Sequence, residues 1–85
     1  MQRSISDELI NFVRKLDLDK VLDLLRIATH LGCNNEVDSF FHKFLALEDS
    51  KKAFYAILSK FLKDEKSEGL EDLFLKIFSN FLIIL

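Results

Sequence analysis

Residues 70–85, LEDLFLKIFSNFLIIL, form the most apolar stretch of this chain. Read as an α-helix, the stretch has one broad apolar face, because its apolar side chains recur at i, i+3, i+4 and i+7. Leu75 and Leu82 widen this face to roughly half the helix circumference, well beyond the ~100° stripe of an ordinary surface helix. One layer of neighbouring helices does not cover so wide a face. The stretch therefore predicts a helix that is packed on more than one side.

A membrane anchor is the alternative interpretation of this stretch. A spanning helix needs about 20 apolar residues, and the uncharged run begins only after Lys76. We therefore expect no membrane span, although attachment of residues 81–85 to a membrane surface stays open. We expect instead that a second subunit covers the end of the helix. The residues expected at this dimer interface are Leu75, Phe78, Phe81, Leu82, Ile83 and Leu85.

Length and composition limit the class of fold. The chain has 85 residues, which suit one domain, and 49% of them are hydrophobic, as in a globular protein. Proline is absent and glycine occurs only at Gly32 and Gly69. Such a composition favours helices joined by short links over a β-rich fold with many tight turns. Residues 1–85 are therefore expected to form a single all-α domain.

The apolar periodicity divides this domain into five helices. They are predicted at about residues 7–16, 18–31, 35–47, 51–63 and 70–84, as a bundle with the C-terminal helix at its centre. Ser6 is expected to cap the first helix. Gly32 is expected to end the second helix, because glycine readily adopts the left-handed conformation that often follows a helix. Residues 63–69, KDEKSEG, predict a polar loop before the last helix.

A short similarity recurs in three of the predicted helices. It reads FHKFL at residues 41–45, LSKFL at 58–62 and FSNFL at 78–82, with unequal spacings of 17 and 20 positions. An internal repeat is one explanation. The other is that three amphipathic helices use the same Phe–Leu packing independently.

Few residues have the chemistry of a metal or catalytic site. His30, Cys33 and His42 are the only soft metal ligands, and a zinc site usually needs a fourth ligand and closer spacing. Asp38 and His42 lie one helical turn apart, but no nucleophile stands beside them in the sequence. A glycine-rich phosphate loop is also absent. We therefore expect no metal, no cofactor and no enzyme activity.

The cysteine content and the first residues bear on the cellular compartment. Cys33 is the only cysteine, so no disulfide forms within the chain, and a lone thiol is typical of a reducing compartment. Residues 1–8 are polar and no apolar segment follows them, a pattern that does not predict a signal peptide. The sequence therefore predicts a cytoplasmic protein.

Residues 27–37, IATHLGCNNEV, resemble the first half of a helix-turn-helix motif. Ala28 is followed four positions later by Gly32 and then by the apolar Cys33 and a polar cap. The likeness decays afterwards, because the buried position expected in the second helix falls on Asp38. The resemblance implies a DNA-binding surface within residues 28–44. The DNA contacts that it implies are Asn34, Asn35, Ser39, His42 and Lys43.

Two functions follow from these patterns as hypotheses. The first is a small non-enzymatic protein–protein interaction module, an adaptor or regulator that binds another protein. It is homodimeric through its C-terminal helix, with the second or the fourth helix beside it. The alternative is a small dimeric helix-turn-helix transcriptional regulator that binds DNA. Phosphate contacts supply most non-specific DNA affinity, and the net charge is −2. The charge on the outer side of the third helix therefore discriminates the two hypotheses.

Overall fold

The computed structural model describes residues 4–63 and 69–84, with side chains described as far as Asn80. Within these ranges the chain forms five α-helices and no strand, so the predicted all-α bundle is confirmed. The helix bounds lie within about two residues of the predicted ones. The helices are α1 (Ile5–Arg14), α2 (Leu18–His30), α3 (Asn34–Leu45), α4 (Ser50–Lys63) and α5 (Glu71–Ile84).

Helix α1 begins two residues earlier than the sequence predicts. Ser4 is the N-cap, and its hydroxyl accepts a hydrogen bond from the Asp7 amide at 3.2 Å. Ser6, the predicted cap, is buried inside the first turn instead. Its amide donates to the Glu36 carboxylate of α3 at 2.8 Å. A partner distant in the sequence therefore satisfies an amide that a local cap would otherwise bind.

The turn between α2 and α3 follows the prediction made for Gly32. This glycine has a φ of +74°, in the left-handed region. Its amide donates to the Thr29 carbonyl at 3.2 Å, and the Cys33 amide donates to the Ala28 carbonyl at 2.9 Å. These two bonds form a Schellman motif, which satisfies carbonyls at the end of α2 and turns the chain into α3.

The hydrophobic core lies between the first four helices and one side of α5. Leu9, Val21 and Ala28 are fully buried, and Phe40 stacks at a tilt on Phe44 with ring centroids 5.5 Å apart. All five helices contribute, each through one apolar stripe. The buried hydrophobic residues are Leu9, Ile10, Val13, Val21, Leu22, Leu25, Ala28, Phe40, Phe41, Phe44, Phe54, Ile57, Leu70, Phe74 and Ile77.

The position of α5 corrects the prediction that the C-terminal helix is central. In the described residues, the closest helix pairs are α1 with α3, α1 with α2, α2 with α4 and α2 with α3. Helix α2, which packs against α1, α3 and α4, therefore occupies the middle of the bundle. Helix α5 buries Phe74 and Ile77 but leaves Leu75 and Phe78 exposed. Among the α5 side chains that the structure describes, only a stripe of ordinary width is buried, so the wide apolar face of α5 does not make this helix central.

Candidate protein-binding surface

Helices α4 and α5 form a hairpin whose two arms contact each other through aromatic rings. The Phe61 and Phe74 ring centroids lie 4.3 Å apart, and the Phe54 ring lies 6.0 Å from Phe74 and 6.4 Å from Phe78. Residue numbers fall along α4 as they rise along α5, so the two helices run in opposite directions. Tilted ring pairs at these distances are favourable beyond the area that they bury. The rings hold one side of the hairpin in the core and leave the other side open.

The open side of the hairpin carries an apolar groove of about 360 Å³. Leu62 on α4 is 75% exposed, and on α5 Leu75 and Phe78 are 63% and 38% exposed. Large apolar side chains that cluster around a groove are a feature of interaction sites, whereas single exposed ones are common. The groove is lined by Phe54, Leu58, Phe61, Leu62, Glu71, Phe74, Leu75 and Phe78.

The residues predicted at the dimer interface divide into two sets. Leu75 and Phe78 lie on the open side of the hairpin and are exposed, as the prediction requires. The side chains of Phe81, Leu82 and Ile83 lie outside the described residues, as does Leu85. The second or fourth helix was expected beside the last helix at this interface, and the groove is lined on its other side by Leu58 and Leu62 of α4.

Helices α4 and α5 share an apolar pattern that extends beyond the five-residue similarity noted in the sequence. Residues 51–62, KKAFYAILSKFL, align with residues 71–82, EDLFLKIFSNFL, at an offset of 20 positions. Phe54 and Phe74 are both buried at equivalent positions, as are Ile57 and Ile77. The two helices therefore turn equivalent stripes to the core and equivalent stripes to the groove.

Charge distinguishes the two equivalent stripes. Lys51 and Lys52 lie in the first turn of α4, whereas Glu71 and Asp72 lie in the first turn of α5. At 100° per residue, Lys51 is in line with Leu58 and Leu62, and Glu71 is in line with Phe78. Because the helices are antiparallel, Lys51 and Glu71 lie at opposite ends of the hairpin, where Glu71 lines the groove and Lys51 lies beyond it. The sequence alone does not assign either residue to this surface, since their positions follow from the direction of the hairpin.

The residues that the helix-turn-helix resemblance implied lie on α3. Asn34, Asn35 and His42 are exposed, and Ser39 is half-buried on the same side. The fifth residue, Lys43, points toward α1, where its ammonium donates to Asp7 Oδ1 at 2.7 Å and to Ser6 Oγ at 3.0 Å.

Charges around α3 are largely paired with neighbouring helices. Lys43 is the only Lys or Arg in α3, and it is held by Asp7. Asp38 lies 3.5 Å from the Lys76 ammonium of α5, which also lies 4.6 Å from the centre of the Phe41 ring. Glu36 adds a second carboxylate to α3. The outer side of α3 is therefore close to neutral or acidic and offers little to a phosphate backbone.

The described residues contain neither a cluster of metal ligands nor a membrane-spanning helix. Within residues 4–63 and 69–84, no three His, Cys, Asp or Glu side chains lie close enough together to hold a metal ion. His30 and His42 are exposed, and Cys33 is half-buried with a free thiol. None of the helices in these ranges is both long enough and apolar enough to cross a membrane.

Comparisons with protein-family models, with curated proteins and with solved structures gave no match to this chain.

Proposed function

We propose that this chain is a non-enzymatic protein–protein interaction module, an adaptor or regulator, that forms a homodimer through the hairpin of α4 and α5. The interface is the open side of this hairpin, called here the hairpin face, with Leu58 and Leu62 on α4 and Leu75 and Phe78 on α5. The observation that carries the proposal is the exposure of large apolar side chains around an apolar groove.

The size of the exposed surface indicates a reversible association. Full burial of a Leu or Phe side chain is worth about 1.5–3 kcal/mol. Leu62, Leu75 and Phe78 are partly buried already, so we assign each about 1–2 kcal/mol, or roughly 6–12 kcal/mol over two copies. Association costs about 4–15 kcal/mol in lost freedom. The gain and the cost are of similar size, so we expect a reversible association that depends on protein concentration.

The charge distribution on α3 supports this proposal over the DNA-binding alternative. A recognition helix needs cations near the phosphate backbone, whereas α3 has two carboxylates and one ammonium, and that ammonium is bound to Asp7. DNA binding through α3 also leaves the apolar groove unexplained, because the groove lies on α4 and α5. An apolar groove and a neutral α3 together favour a protein as the partner.

Sedimentation velocity over about 1–100 µM protein tests the proposal. We expect the wild type to shift from monomer to dimer, and Leu75→Glu to remain monomeric, because a carboxylate on the hairpin face would be buried without a partner. Leu31→Glu is the matched control, since Leu31 is a similarly exposed leucine, at 71%, at the C-cap of α2 and away from the hairpin face. A wild type that stays monomeric throughout this range would refute the proposal.

A binding assay with duplex DNA tests the alternative function. If α3 were a recognition helix, the chain would bind duplex at low salt, and Asn35→Ala would weaken that binding. Asn35 is the informative position because it is exposed, whereas Lys43→Glu also breaks the ion pair with Asp7. We expect no duplex binding at about 50 mM salt.

A further inference from the structure

We infer that the two copies pack with their hairpins antiparallel, so that Lys51 of each copy meets Glu71 of the other. This arrangement rests on the homodimer proposed above and specifies its symmetry. The two-fold axis lies in the plane of the interface, at right angles to the helices. Helix α4 then packs on α4 of the second copy, and α5 packs on α5.

The sequences of α4 and α5 place residues of the same kind at the same helical positions. Tyr55, Leu58 and Leu62 follow Lys51 on α4 at i+4, i+7 and i+11, and Leu75, Phe78 and Leu82 follow Glu71 on α5 at the same intervals. Each line therefore has a charge at its N-terminal end and apolar groups beyond it. The two charges have opposite signs.

The antiparallel hairpin places these charges far apart within one copy. Helix α4 has 14 residues, so its ends are separated by about 20 Å at ~1.5 Å per residue. Lys51 lies at one end of the hairpin face and Glu71 at the other. None of the ion pairs between described residues includes Lys51. Glu71 accepts a hydrogen bond from the Gly69 amide, just before its own helix, at 2.9 Å. Neither charge neutralises the other within the chain.

Two symmetric ways of packing the hairpin faces have opposite electrostatic consequences. With the two-fold axis parallel to the helices, equivalent ends of the two copies meet, so that Lys51 faces Lys51 and Glu71 faces Glu71. With the axis perpendicular to the helices, opposite ends meet, and each Lys51 approaches a Glu71. Like charges placed together at an interface are strongly unfavourable. Only the perpendicular axis makes the face complementary to itself, as a two-fold interface requires.

The perpendicular axis also places the apolar residues at the centre of the interface. Leu58 on α4 and Phe78 on α5 lie near the middle of the hairpin, where the axis passes, and each meets its own equivalent from the second copy. The charged pairs lie at the rim. A desolvated apolar centre with a polar rim is the usual anatomy of a protein interface.

Charge reversal tests the arrangement, with sedimentation velocity at about 50 mM salt as the measurement. Lys51→Glu and Glu71→Lys should each raise the dimer dissociation constant at least about fivefold, because two symmetry-related pairs become repulsive. An equimolar mixture of the two single variants should dimerise like the wild type, since every contact between position 51 and position 71 again joins opposite charges. A folding defect within one variant would not be repaired by mixing, so recovery in the mixture identifies a contact between the two copies.

Neighbouring residues provide the matched controls. Lys52→Glu and Asp72→Lys change the same charges in the same helical turns, but these side chains lie about 100° around the helix from Lys51 and Glu71. Their effect on the dissociation constant should be under about twofold, and salt at about 0.5 M should reduce the effects of the reversals at positions 51 and 71.

The outcomes separate this arrangement from the proposed function. A wild type that dimerises, together with a mixture of variants that does not recover, would overturn the antiparallel arrangement and leave the homodimer in place. Equal effects of the reversals at positions 51 and 52 would overturn it as well. A wild type that never dimerises would remove the proposed function itself.

Discussion

Leu16, the residue that follows the C-cap of α1, provides a test of how this helix ends. It has a φ of +57°, the only non-glycine residue with a positive φ in the described chain. Its amide donates to the Val13 carbonyl at 3.0 Å, and the Asp17 amide donates to the Phe12 carbonyl at 2.9 Å. These are the hydrogen bonds of a Schellman motif, in which the left-handed position is usually glycine. We therefore predict that Leu16→Gly is more stable than Leu16→Ala.

The magnitude follows from the backbone conformation and the exposure of the side chain. The left-handed region costs a residue with a Cβ about 1–2 kcal/mol, and the greater freedom of glycine in the unfolded chain offsets about 0.4–1 kcal/mol of that relief. Leu16 is 67% exposed, so removing its side chain costs both variants the same ~0.5–1 kcal/mol. The glycine variant should exceed the alanine variant by about 1 kcal/mol, or about 4–8 °C in Tm.

Thermal and urea unfolding followed by circular dichroism measure this difference. Lys15 provides the matched control, because it is the preceding residue and has an ordinary right-handed φ of −86°. There the order should reverse, with Lys15→Gly less stable than Lys15→Ala by about 0.5–1 kcal/mol. If Leu16→Ala were as stable as Leu16→Gly, or more stable, the strain assigned to this position would be wrong.

Three further predictions concern single positions and use the same unfolding assays. Ser4→Ala should lower the free energy of unfolding by about 1 kcal/mol through loss of the cap on the Asp7 amide, and Ser4→Asp should retain most of it. Gly32→Ala should lower it by about 1 kcal/mol or more because φ is +74°, even though a Cβ there meets open space; an unchanged midpoint would contradict this. Phe54→Ala should cost about 3–5 kcal/mol, whereas Phe78→Ala should cost the monomer much less, and equal losses would place Phe78 in the core.

Apolar periodicity and glycine placement were sufficient to predict the helices. Each helix buries one stripe at helical spacing, as Phe40 and Phe44 do on α3, and the chain has so few turn residues that the link at Gly32 could be read directly. Such signals are local, because they depend on residues within one or two turns of each other.

Other features could not be predicted because they depend on contacts distant in the sequence. Nothing beside Leu16 indicates a left-handed residue, since the turn there is imposed by the packing of α1 against α2. Ser6 looks like a cap until Glu36 approaches it from α3. The part of the candidate surface contributed by Leu62 likewise appears only when α4 and α5 lie side by side. Lys43 was predicted on an outward face, and its position against Asp7 required the α1–α3 contact.

The bonds that join α3 to the start of α1 set an order of events during synthesis on the ribosome. Asp7 and Lys43 are separated by 36 positions, so at ~5–20 residues per second the lysine emerges roughly 2–7 s after its partner. A nascent helix forms and melts in about a microsecond. The first helix therefore samples the folded and melted states many times before its anchors exist. Its permanent attachment awaits the third helix, so a ribosome paused before position 36 would carry a chain whose first segment is still open to proteases.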